Sequence, residues 1–455
     1  MKLETLAQDL RSDINNRGHL SAELRKKRLE ALKKSIQKHE VMITKALKDD
    51  LGKSSFESYT TEVGFILEEI SFVLKNIESW VKTIKVKTPL TLFPGKSSIH
   101  PEPYGVVLVI SPWNYPFQLC IAPVIGALAA GNRVVVKPSE FAPNTSKAIK
   151  TIIDEVFEPH EVIVIEGALE ETQILLKQRF DYIFFTGSTA VGKIMMKAAA
   201  EHLTPITLEL GGKSPLLIEE SANIDIAAKR CVWGKFLNAG QTCVAPDYVL
   251  VPKHLRDQLI DRMKFHLNSF YGSDPKSSPD YPRIVNQRHF DRLLELIEDG
   301  KVAVGGKSVR EEHYIEPTVM KDVSWEDKVM EDEIFGPILP VLTYETVEDA
   351  IHQILSRPKP LAFYVFSEND RKKKEIIAKV PFGGGCVNDT VVHLANPNLP
   401  FGGVGPSGLG SYHGKKTFDT FTHYKSVYEQ GTKVDIPLRY PPYEGKLNWI
   451  KLFIR

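Results

Sequence analysis

Four short stretches hold residue types that do chemistry where packing alone does not require them. "SPWNYPF" sets Asn114 between prolines at the end of an apolar run. "TLELGGKSP" ends an apolar run on Glu209, followed by two glycines. "GQTCVAPD" puts Cys243 in a loop just after a helical segment, and "MEDEIFGP" sets Glu333 before an apolar pair and a Gly-Pro break. Each has an ordinary reading as well. Asn114 suits a turn, Glu209 suits a strand end, and Cys243 suits a small buried apolar position, as free cysteines commonly do.

Together the four describe one reaction chemistry. An aldehyde carbon must become tetrahedral before it can lose hydride. A thiolate adds to it and makes a thiohemiacetal, which requires a nucleophilic cysteine. The oxyanion that develops requires donors, and an amide side chain with a backbone N–H supplies them. The thioester left after hydride loss requires a carboxylate base to activate water.

These stretches need a framework to hold them. From Gly105 onward, short β-branched runs alternate with helical ones: "VVLVI", "RVVVKP", "EVIVIEG", "YIFFTG" and "ITLEL", then "SPLLIEE" and "YVLVP" after Gly211. That alternation predicts parallel strands with crossover helices, in two open doubly wound α/β domains in series. The first hundred residues read mainly helical, with Leu29, Leu32 and Ile36 on one face and a solvated Lys/Arg run at 25–28. "VKTPLTLFPGKSSIHPEPYG" breaks that character and reads as an extended excursion.

Composition narrows the field. The chain has 455 residues, 42% apolar and 25% charged, with net charge +1, which gives no general bias toward nucleic acid. Its four cysteines form no Cys-x-x-Cys pair and no His/Cys cluster. We therefore expect neither a disulfide framework nor a metal site, and a reducing, cytoplasmic setting. The N-terminus lacks the apolar core of a signal peptide. Residues 103–132 carry no charge, but their prolines, glycines and amides predict a buried strand, a loop and a buried helix rather than a span.

"YIFFTGSTAVGKI" resembles a phosphate loop, yet position 194 is isoleucine, where a Walker loop needs a hydroxyl for magnesium. Gly403, Gly405 and Gly408 spell G-x-G-x-x-G, but Pro406 lies inside it and no clear strand feeds it, so a tight crossing is the better reading.

Over residues 5–430 the motifs "PWNYPF", "VVKPSE", "FTGSTAVGK", "TLELGGKSP", "GQTCVAPDYVL", "DEIFGP", "LPFGGVGPSG" and "YHGKKTFDTF" occur in order. In this the sequence resembles the aldehyde dehydrogenases, specifically the class 3 branch of dimeric enzymes that includes fatty aldehyde dehydrogenases. The resemblance implies Cys243 as nucleophile and Glu209 as general base, alone or shared with Glu333. It implies Asn114 and the Cys243 backbone N–H as oxyanion donors. Lys137 and Glu140 would hold the adenosine ribose, Gly187 and Ser188 would face the pyrophosphate, and Glu333 and Phe335 would contact the nicotinamide ribose. Ile194 would pack the helix that follows. Glu140 near the ribose favours NAD, with NADP possible.

The resemblance also implies a Rossmann-like cofactor domain (1–82 and 104–209), a catalytic domain (210–420) and a small β extension for oligomerisation (83–103 and 421–440). A homodimer acting on apolar aldehydes, medium or long aliphatic or aromatic, follows. The tail 441–455 is apolar and cationic, from Leu447 and Trp449 to Ile454 and Arg455. It is expected to pack on the dimer partner, to touch a membrane surface peripherally, or to fray. A CoA-acylating relative, an inactivated dehydrogenase fold used for binding, and an NTPase are the competing readings.

Overall fold

The computed structural model describes residues 2–453, so the tail's Ile454 and Arg455 lie outside the described residues. Two open sheets dominate it. The first has six strands in the order Gly408–Leu409, Ile206–Glu209, Tyr182–Thr186, Val106–Ile110, Arg133–Lys137 and Val162–Val164. Five run parallel, and Gly408–Leu409 adds antiparallel with Gly408 opposite Glu209. Val106–Ile110 and Arg133–Lys137 are buried along their whole length, as strands covered by helices on both faces must be.

The uncharged stretch becomes one of those covering helices. Gln118–Ala130 is buried on every side and stops at Gly131, whose φ of 101° ends it in the left-handed conformation. Among the described residues no helix is long and apolar enough to cross a membrane. The N-terminal helices Ala22–Lys38 and Gly64–Trp80 pack against this one, and Leu29, Leu32 and Ile36 are fully buried. The Lys/Arg run is the expected solvated face only in part: Lys26 and Lys27 reach solvent, while Arg25 and Arg28 turn inward. Arg25 donates to the Leu20 and Ala129 carbonyls, and Arg28 pairs with buried Glu161 at 2.7 Å. Long side chains thus tie the helix to the first sheet unit, and burial holds the Arg25 guanidinium down at about 10.

The second sheet has seven strands, in the order Val302–Val304, Thr318–Met320, Ile338–Tyr344, Tyr248–Pro252, Pro215–Ile218, Ala362–Phe366 and Gly384–Val387. All are parallel except Val302–Val304. A third, antiparallel sheet joins Ile84–Val86, Lys96–Pro103 and Thr422–Glu429, so the extended excursion pairs with chain from the far end of the sequence.

The glycine-rich segment after residue 400 is a tight crossing. Gly405 has φ +64° and bridges to Gly408, and a Cβ on Gly403 would stand 2.1 Å from the Ser407 carbonyl oxygen. This turn delivers Gly408–Leu409 to the edge of the first sheet.

Candidate active site

Parallel strands leave their carboxyl ends on one edge, and loops there form the ligand crevice of such sheets. Asn114 follows the Val106–Ile110 strand, Lys137 ends its own strand, Gly187 and Ser188 follow Tyr182–Thr186, and Glu209 ends Ile206–Glu209. Cys243 and Glu333 reach the same edge from the second sheet's side, in loops before Tyr248–Pro252 and before Ile338–Tyr344.

Two cavities meet at Cys243, which lines both. The first, about 640 Å³, takes in Asn114, Gly187, Ser188, Glu209, Glu333 and Phe335. The second, about 670 Å³, is walled by Phe56, Trp233, Phe270, Tyr271, Val391 and Tyr412, with the acids Glu57 and Asp280 also on its wall.

Asn114 is buried, and its Nδ2 donates to the Gln241 carbonyl at 3.0 Å. That bond uses one amide hydrogen and leaves the other unassigned within the described residues. Glu209 is 2% exposed, and neither carboxylate oxygen has a partner among the described residues. Burial without partners holds its carboxyl well above the usual range. The Cys243 thiol is also pushed up, first by burial and then by Glu333 and Glu209, which places both acids within electrostatic reach of the sulfur.

Glu333 lies against Gly211, where a Cβ would sit 2.0 Å from its Oε2. Its carboxyl is raised to about 8 by burial and by Asp247, partly offset by the Gly212 backbone, Lys213 and Lys235. Phe335 has φ +49° and meets Trp113 edge-on at 5.4 Å. A non-glycine residue in that conformation is held there by its surroundings.

The segment carrying Glu333 is clamped by two residues that sequence reasoning missed. Lys213 donates to the Val329 and Asp332 carbonyls and pairs with Asp247 at 2.6 Å, while Asp247 accepts from the Ile334 N–H. Both sit inside quoted motifs, "ELGGKSP" and "VAPD", but the backbone groups they hold are more than eighty residues away in sequence and gave no local signal.

The first cavity therefore brings together Cys243 and the six expected residues named with it, and one expected pair stands apart. Lys137 is buried and donates to the Pro138 carbonyl and to Glu140 Oε2, each at 3.1 Å, and neither Lys137 nor Glu140 lines the first cavity. Ile194 does not pack: it is 57% exposed, on the outer face of the Thr189–Glu201 helix.

The first cavity fits a dinucleotide. The N-terminus of Thr189–Glu201 opens on it through Ser188, Thr189 and Ala190, and the Ser188 hydroxyl caps that helix by accepting from the Val191 N–H. Free N–H groups at such an end bind phosphate. A Cβ at Gly187 would stand 2.5 Å from the tip of the Phe185 ring, which would have to shift to admit any side chain here.

An open α/β fold with a cysteine between a crevice that fits a dinucleotide and an apolar cavity points to the class, an oxidoreductase that uses a dinucleotide. The model of the aldehyde dehydrogenase family matches residues 8–427. The 4,4'-diaponeurosporen-aldehyde dehydrogenase of Staphylococcus aureus is 49% identical over 100% of this chain and 99% of its own. The dimeric NADP-preferring aldehyde dehydrogenase of Canis lupus familiaris is 46% identical over 98% of this chain and 99% of its own. A substrate-bound structure of Staphylococcus aureus AldH superimposes with TM-score 0.98 at 49% identity, covering 100% of both chains. The chain belongs to the aldehyde dehydrogenase family, in its class 3 branch, and is an oxidoreductase that uses NAD(P).

Proposed function

We propose that this enzyme oxidises apolar aldehydes, medium or long aliphatic or aromatic, to carboxylic acids by way of a thioester on Cys243. One observation carries the reading: Cys243 lines both the cavity that fits the dinucleotide and the aromatic-walled cavity. A sulfur in that position meets an aldehyde from one side and presents it to the other.

In this reading the Cys243 thiol gives its proton to a neighbouring carboxylate, and the sulfur adds to the aldehyde carbon. The new oxyanion is held by the free Asn114 amide hydrogen and the Cys243 backbone N–H. NAD(P), when bound, supplies the hydride acceptor. The proton taken from the thiol passes to solvent; Glu209 as carboxylate then takes a proton from water as that water attacks the thioester, and the acid leaves as the Cys243 sulfur is released and takes that proton back. Burial raises both carboxyls, but Glu333 is partly offset by the Gly212 backbone, Lys213 and Lys235 whereas Glu209 has no partner among the described residues, which favours Glu209 for this step and leaves Glu333 for the nicotinamide ribose. Gly187 and Ser188 face the pyrophosphate, Phe335 the nicotinamide ribose, and Lys137 with Glu140 the adenosine ribose.

The same reading assigns residues 1–82 and 104–209 to the cofactor domain and 210–420 to the catalytic domain, with Gly408–Leu409 of the latter completing the cofactor sheet. The antiparallel sheet of 83–103 and 421–440 serves a homodimer. Its strand Ile84–Val86 is exposed, as are Leu90, Leu92 and Phe93 beside it. The Leu447–Phe453 helix, with Leu447 and Trp449 exposed, packs on the partner near the substrate mouth. The enzyme works in the cytoplasm.

The test is NADH absorbance with purified enzyme, NAD, and aldehydes from acetaldehyde to hexadecanal plus benzaldehyde, with Cys243→Ala as control. Turnover that favours the apolar aldehydes and vanishes in the variant supports the reading. Turnover confined to acetaldehyde, or surviving in Cys243→Ala, overturns it.

A further inference from the structure

Beneath the active-site edge lies a buried charged cluster to which the reaction assigns no part. Lys53 is completely buried. Its Nζ pairs with Glu62 Oε1 at 2.6 Å, donates to the Asn114 carbonyl at 3.1 Å, and sits 3.9 Å over the Tyr115 ring. Glu62 is equally buried, in the π-helical turn Tyr59–Val63. Its Oε2 accepts from the Phe117 and Gln118 N–H groups at 2.9 and 3.0 Å, at the start of the buried Gln118–Ala130 helix.

A second donor reaches the same carbonyl. Asn238 Nδ2 donates to the Asn114 oxygen at 2.7 Å and to the Gln241 carbonyl at 3.2 Å. Asn238 holds φ 51°, ψ 34°, a left-handed conformation that asparagine tolerates, and its own N–H is accepted by Glu57 Oε1 at 2.9 Å. The Gln241 carbonyl is the group that accepts the Asn114 side chain. Main chain and side chain of Asn114 are thus both fixed, by groups from two separate segments of the sequence.

Resting on the oxyanion role of Asn114 proposed above, we infer that Lys53 and Asn238 are positioning residues, which hold the Asn114 backbone so that its amide meets the developing oxyanion. Neither residue lines the first cavity, so each acts through Asn114. The cluster costs more than packing alone requires. Burying an ion pair seldom adds net stability over apolar residues of the same shape, whereas an oxyanion donor misplaced by an ångström loses much of its effect.

A double-mutant cycle on the full enzyme with NAD and decanal tests this. Lys53→Met lowers kcat roughly 10- to 100-fold while KM stays within about twofold. In an Asn114→Ala background the same substitution has no further effect, because the amide it positioned is gone. Multiplication of the two losses, or an unchanged kcat in Lys53→Met, overturns the inference and leaves the proposed function standing. A wild-type kcat in Asn114→Ala alone overturns the oxyanion role itself, and the inference with it. If Lys53→Met does not fold, Lys53→Met/Glu62→Gln removes both buried charges, and Asn238→Gly removes the second donor at a backbone conformation glycine adopts freely. In the same cycle, a kcat loss that disappears in the Asn114→Ala background supports the inference, and a loss that multiplies overturns it.

Discussion

The two flanks of Cys243 are built in opposite ways. On the Asn114 side the polar groups are tied down: the side-chain amide to Gln241, the carbonyl to Lys53 and Asn238, and the neighbouring Tyr115 hydroxyl to Thr242 at 2.7 Å. On the Glu209 side a buried carboxylate has no hydrogen-bond partner among the described residues, and burial and Asp247 hold the carboxyl of Glu333 up near 8. A donor that stabilises developing charge works best when it is already in place. A base works best when its proton is wanted back, and an unpartnered, desolvated carboxyl is in that condition. In the reaction proposed above, the difference separates a fixed oxyanion donor from a carboxylate base.

Removing the sulfur on which both flanks act gives the largest expected effect. Cys243→Ala lowers turnover by at least about 10⁴-fold while NAD binding, followed by fluorescence titration, is kept. Asn114→Ala breaks the fixed flank and lowers kcat by about 10²–10³-fold, as one lost oxyanion donor does. Glu209→Gln breaks the titrating flank. It slows thioester hydrolysis by roughly 10²-fold and leaves a stopped-flow burst of NADH. A burst in Asn114→Ala instead would erase the contrast.

A smaller effect sharpens the contrast by pH. The carboxyl of Glu333 titrates near 8 in the folded protein against an ordinary 4.5, so between those values the folded state binds more protons than the unfolded one. Stability from this group is therefore full at pH below 4.5 and is lost as pH rises through 8. Glu333→Gln lacks that slope, so its Tm relative to the parent rises by roughly 4 °C between about pH 5 and 8. A flat difference would mean that the group does not titrate there. The smallest effect is at the tail: deleting residues 444–455 lowers turnover of hexadecanal roughly two- to tenfold more than that of acetaldehyde. Equal losses would count against a tail beside the substrate mouth.

Legibility in the sequence follows a simple division. Asn114 and Glu209 stood out because each ends an apolar run, and Cys243 and Glu333 because each sits in a break between periodic segments, both of which are local signals. The strands around them were readable for the same reason, through buried β-branched runs such as Val106–Ile110. Lys53 and Asn238 were not, because a lysine and an asparagine beside helical segments look like surface residues until the opposing segment is known. The solvated face expected over residues 25–28 held for Lys26 and Lys27 and failed for Arg25 and Arg28 from the same cause. Periodicity gives the face on which Arg25 lies, but not that the Ala129 carbonyl waits there to receive it. The Ile194 expectation failed in reverse, since an apolar residue in a helix need not face the core when the sheet covers only one side.

The pairing of Gly408 with Glu209 also sets a timetable. During synthesis the strand that ends on Glu209 emerges long before the strand that borders it, which lies almost a domain's length further along the chain. For that interval the nascent first sheet presents a bare edge, with backbone groups open to any other extended chain. Long-range closure of this kind is slow, so the edge beside the active site stays open to mispairing in a nascent or truncated chain. A chaperone that shields this edge until Leu409 arrives would raise the yield of native enzyme without touching its stability.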